Sequence, residues 1–291
     1  MRNPFLVFED IHRTPRQKLF RIGGVRWTAT PYAWLSPLFW CALGLAVAWA
    51  EERSVGAGSW LVGGVTYGLL LYGTNVVHSV GHIVAGWLVR APMTSILLTA
   101  TRDVTVYVRR GAALPARTRI ARAAGGPALN LLTGGVALVI AELVHVEFLW
   151  SFGIFNLAIA IWTLLPISTL DGSVIWTSLR PKKSLSKARI GLSLIVVATV
   201  FAILFGREHA LAWDSLGRLF IVGALSILAG LGRRWASIAL GLVVATACAG
   251  LILGAAQAGT SSPWAWLFGI DAVLFALGYV WFLAAGGGAD G

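Results

Sequence analysis

The chain has 291 residues, 57% of them hydrophobic and only 12% charged, with a mean hydropathy of +0.79. Soluble domains carry about 25% charged residues, so this chain cannot coat a water-facing globule, and a soluble enzyme and a disordered chain are both excluded. The formal net charge of +11 would raise nucleic acid as a partner in a soluble protein, but here the cations gather between apolar stretches and read as topology signals.

Residues 1–31 form a polar arm with no cleavable signal peptide in sight. Insertion is therefore expected through the first transmembrane helix. Apolar stretches long enough to cross about 30 Å of hydrocarbon follow at 32–50, 58–89, 124–144, 148–167, 188–206, 215–232, 235–257 and 264–286. The expected fold class is a polytopic all-α membrane protein with about eight transmembrane helices and small interfacial β-strands or a hairpin. Its expected parts are the arm (1–31), a transmembrane core (32–182) and a four-helix extension (183–291).

Basic residues test the span count. Alternate loops hold only Arg53, Arg207 and Arg218, and the other 20 of the 23 Lys and Arg lie on one side. The positive-inside rule makes that side cytoplasmic and puts both termini there. The expected location is a prokaryotic-type inner membrane, with membrane lipids as partners and no nucleic acid.

Between the second and third spans, residues 95–99 and 104–108 have strand-like content around Thr101-Arg102-Asp103, which predicts a hairpin at the cytoplasmic surface. Residues 22–30 predict a further interfacial strand. No internal repeat of the kind that marks many secondary transporters is visible. Cys41 and Cys248 lie in apolar stretches without a Cys-x-x-Cys motif and read as small space-fillers.

Ionisable side chains within a bilayer are costly and mark functional sites by default. His78 and His82 occur as His78-Ser79-Val80-Gly81-His82. Spacing of i and i+4 puts both imidazoles on one helical face, able to share one tetrahedral zinc. A hydrogen-bonded pair of buried histidines, or the lining of a polar pore, is the other reading. For a third ligand, the topology points to Asp171, which follows span four in Leu164-Leu165-Pro166-Ile167-Ser168-Thr169-Leu170-Asp171-Gly172. Pro166 and Gly172 break the helix there, and a carboxylate can reach the depth of the histidines. Two histidines, one carboxylate and an open position make a catalytic type of zinc site.

A His-x-x-x-His in one transmembrane helix with Leu-Asp-Gly after a later one resembles the site-2 protease family of intramembrane zinc metalloproteases. Phe20-Arg21-Ile22-Gly23-Gly24-Val25 and Gly125-Gly126-Pro127-Ala128-Leu129-Asn130 resemble it too, and the likeness runs in order over residues 18–180. The resemblance implies one zinc ion held by His78, His82 and Asp171. It further implies that Asn130 faces the site and helps to hold the substrate carbonyl or its oxyanion. It also implies that residues 93–108 pair with an unwound strand from a transmembrane segment of another protein.

The chain departs from that family at the general base. The family pattern is His-Glu-x-x-His, and position 79 is serine, whose hydroxyl cannot take the proton. General bases contribute about 10²–10⁴-fold, so the expectation is a catalytically impaired homologue that binds transmembrane or peptide segments. The family's Asn-Leu-x-Pro is Thr163-Leu164-Leu165-Pro166 here, its second proline is Thr169, and Asn156 lies too early to replace the asparagine. Two alternatives stand beside this reading. One is an active intramembrane zinc metalloendopeptidase with a non-standard base, a water chain or Asp103, the latter only if its hairpin folds inward. The other is a proton or metal-ion transporter. Asp271, the one acid deep within a span, is expected to be hydrogen-bonded between helices.

Overall fold

The computed structural model describes residues 15–51, 57–100, 103–107, 114–166, 170–179, 189–205, 212–230, 233–259 and 262–284. Two compact units divide the chain, Met1–Thr133 and Gly134–Gly291, with the boundary inside a helix.

The first unit joins a small sheet to long helices. Strands β1 (Gln17–Ile22) and β2 (Val25–Ala29) precede helices α1 (Leu35–Glu51) and α2 (Ala57–Leu88). Strands β3 (Met93–Leu98) and β4 (Asp103–Tyr107) then lead into α3 (Ala116–Val144). The strands form one sheet in the order β1-β2-β3-β4. β1/β2 and β3/β4 are antiparallel and β2/β3 is parallel. The predicted hairpin is thus β3–β4, although its turn residues Thr101 and Arg102 lie outside the described residues.

The single strand expected at 22–30 is instead broken at Gly23-Gly24, which end β1 and begin β2. Both glycines have positive φ, 56° and 80°, the conformation that a two-residue hairpin turn demands and that side chains with a Cβ resist. β2 alternates as a half-buried strand should, with Val25, Trp27 and Ala29 inward. Val25 and Trp27 pack with Met93 and Ile96 of β3 and with Ile83 of α2, which seats the sheet on the second half of that helix.

The second unit holds α4 (Glu147–Leu164), α5 (Asp171–Leu179), α6 (Arg189–Phe205), α7 (Ala212–Gly230), α8 (Arg234–Ala258) and α9 (Pro263–Ala284). Its fully buried side chains include Ile154, Leu165, Leu192, Ile195, Leu219, Leu240 and Phe282. Each of the eight apolar stretches read from the sequence falls on a helix, and α5 is an additional short one. Among the described residues, α3, α8 and α9 contain segments long and apolar enough to cross a membrane, while parts of α1, α4, α6 and α7 form shorter apolar helices. These helices fit an integral membrane protein.

Asp271 corrects an expectation. It is buried in α9, 1% exposed, and among the described residues neither carboxylate oxygen has a hydrogen-bond partner. The nearby polar group, the Cys248 thiol, is turned to the carbonyl oxygen of Ala272 at 3.4 Å and not to the carboxylate.

Candidate metal centre

The site begins with the i, i+4 pair on α2. His82 is almost fully buried and His78 partly so. Their rings meet edge to face, 4.7 Å between centroids. Each Nδ1 has a partner that fixes its proton. His82 Nδ1 lies 2.8 Å from the backbone carbonyl oxygen of Arg122, and a carbonyl can only accept, so the nitrogen donates. His78 Nδ1 lies 2.9 Å from Oδ1 of Asn130. The amide orientation of Asn130 is set in turn by its Nδ2, which donates to the carbonyl oxygen of Thr74 at 3.1 Å.

With both protons on Nδ1, both Nε2 atoms carry lone pairs, and these face one another at 3.0 Å. Two acceptors that close repel unless a cation or an extra proton lies between them. A tetrahedral zinc with bonds of about 2.0–2.1 Å spaces two nitrogens by about 3.3 Å. The donor set therefore fits a zinc ion, with the second nitrogen of each ring anchored as ligating histidines generally are.

Space for an ion is left by α3. A Cβ on Gly126 would fall 2.6 Å from Nε2 of both His78 and His82. Its neighbour Gly125 abuts the backbone of Gly81, so the two helices touch through glycine beside the imidazoles.

Ser79 is 1% exposed. Its hydroxyl donates to Oδ2 of Asp103 at 3.2 Å. The inward fold that an Asp103 role requires is thus present: the β3–β4 hairpin lies against α2. Burial pushes the Asp103 carboxyl up to about 6, partly offset by the Ser79 hydrogen bond. Four residues further along β4 and on the same face, Tyr107 carries the Arg122 guanidinium over its ring at 3.1 Å.

In the second unit, α4 stops at Leu164 because Pro166 pushes Leu165 into an extended conformation (φ −58°, ψ 139°). Asp171 is the first residue of α5 and half-buried. A side chain at Gly172 would collide with the carbonyl oxygens of Leu164 and Leu165, so glycine there lets α5 start against the end of α4. Thr163 turns its hydroxyl back to Ile159 and Ala160, and Asn156 donates to Phe152 of its own helix. Thr169 lies outside the described residues.

The structure brings together His78, His82, Asn130 and Ser79. Sequence reasoning missed the Arg122 carbonyl, the Thr74 carbonyl and Tyr107. The first two are backbone groups, for which the sequence carries no signal.

No family model and no curated protein matches the chain. Among solved structures, the chain is similar to the Site-2 Protease from Methanocaldococcus jannaschii, with a TM-score of 0.44 and 20% identity over 73% of this chain and 95% of that one.

Proposed function

We propose that the chain is a site-2-protease-like integral membrane zinc protein whose partners are transmembrane or peptide segments of other proteins. One zinc ion is held by His78, His82 and Asp171. The observation that carries this reading is the pair of Nε2 atoms facing one another at 3.0 Å, with the Nδ1 of each ring bonded on its other side. Asp171 enters because Pro166 and Gly172 place a carboxylate just beyond a helix break, as the family's pattern has it. Bound zinc would polarise a peptide carbonyl and make water acidic. Eight spans and cytoplasmic termini complete the proposed topology. β4, at one end of the sheet order, is the strand to which an unwound segment would add.

Left with Ser79 alone, this centre holds such segments without cutting them efficiently, because a serine hydroxyl cannot serve as general base. A second reading, an active endopeptidase with a non-standard base, is favoured by the Ser79–Asp103 contact.

The first test is zinc content of the purified chain and of His78→Ala and Asp171→Ala. Near-stoichiometric zinc in the native chain, lost in both variants, is the expected result. A native chain without zinc would overturn the proposal.

A further inference from the structure

Ser79 occupies the place that a glutamate holds in His-Glu-x-x-His, and the structure puts a carboxylate one hydrogen bond beyond it. A glutamate would extend its carboxylate two carbons past Cβ. The serine hydroxyl reaches one atom past Cβ, and Asp103 Oδ2 lies 3.2 Å further on. The acid missing from α2 is therefore supplied, at similar reach from the same turn of the helix, by the first residue of β4.

Two contacts hold β4 there. Ser79 Oγ–H occupies a lone pair of Oδ2 and orients the carboxylate. The Tyr107 ring packs under the guanidinium of Arg122, whose carbonyl oxygen takes the Nδ1 proton of His82. One residue of α3 thus fixes both a histidine of the centre and the strand that brings Asp103. Tyr72, two turns before Ser79 on α2, also interacts electrostatically with this carboxylate.

We propose that Asp103 is the proton-accepting carboxylate of this centre and that Ser79 is its positioning residue. The inference rests on the second reading above, the active zinc endopeptidase, and names its base. Asp103 takes one proton from the attacking water as the water oxygen bonds to the peptide carbonyl carbon. It gives that proton to the amide nitrogen as the C–N bond breaks. One water is consumed, a carboxylic acid and an amine are released, and the carboxylate is restored with no electron transfer. A base works best when its pKa lies near the operating pH, and burial moves the Asp103 carboxyl in that direction.

The test uses the full chain in proteoliposomes with a quenched-fluorescence transmembrane peptide containing a central glycine pair. Asp103→Asn should keep the zinc content and lower turnover about 10²–10⁴-fold. Combining Asp103→Ala with Ser79→Glu should restore much of it. A second readout needs no turnover: the infrared carbonyl band of a protonated carboxyl in the zinc-free chain. That band should titrate near pH 6, vanish in Asp103→Asn and persist to higher pH in Ser79→Ala. Wild-type turnover in Asp103→Asn, or no cleavage by the zinc-loaded native chain, would overturn the assignment. A band unmoved by Ser79→Ala would overturn the positioning role. A native chain that binds no zinc but shows the Ser79-dependent band would defeat the zinc reading and the catalytic role of Asp103, while leaving the pairing of the two side chains intact.

Discussion

His78 is held by its own helix through a side chain from another. Its Nδ1 donates to Asn130 Oδ1, and Asn130 Nδ2 donates to the carbonyl oxygen of Thr74, one turn before His78 on α2. Such partners of ligating histidines are worth about 10–100-fold in metal affinity. Asn130→Ala should weaken zinc binding by that factor in competition with a chromophoric chelator, while Asn130→Asp, which keeps the acceptor, should bind nearly as well as the native chain. Equal affinity in all three would remove Asn130 from the centre.

Gly126 tests the space for the ion rather than its ligands. A methyl group there would sit 2.6 Å from both Nε2 atoms. Gly126→Ala should therefore abolish zinc retention with every ligand still present. Gly135→Ala on the same helix meets nothing within 4 Å and should leave zinc content and helical circular dichroism unchanged. Zinc retained in Gly126→Ala would mean that the ion sits elsewhere.

The helices and the paired histidines were legible because apolar length and i, i+4 spacing are local properties. The sheet was only half legible. β3 and β4 carry β-branched residues, but β1, Gln17–Ile22, is exposed throughout and its mixed composition does not separate it from a polar arm. Its pairing with β2 is set by the turn at Gly23-Gly24, which read as the start of a strand. Ser79 and Asp103 are 24 positions apart, and only the docking of the hairpin on α2 brings them together. Asp271 shows the opposite failure: a buried acid was expected to find a partner, and the described residues around it supply none.

That unsatisfied carboxyl predicts a gain in stability on its removal. A buried polar group without a partner costs about 1–3 kcal/mol. Asp271→Leu should raise the apparent melting temperature of the detergent-solubilised chain by a few degrees and leave zinc content as it was. A clear drop in melting temperature would show that the carboxyl is held by something its surroundings here do not supply.

Asp103 gives the pH dependence a definite sign. Its carboxyl is raised from the usual value of 3.8 to about 6 by burial, against the smaller lowering effect of Ser79. The folded state then binds the proton more tightly than the unfolded state does. The stabilisation from this group is fully present below pH 3.8 and is lost as pH rises through about 6. Thermal scans across that interval should show the native chain losing stability relative to Asp103→Asn, whose amide does not titrate. If Asp103 also accepts the proton in catalysis, turnover should rise across the same interval, because only the ionised carboxyl can act. Stability falling while activity rises, both about one midpoint and both abolished by one substitution, separates a working base from a residue that merely pins the hairpin. A pinning residue would move the first curve and leave the second where it was.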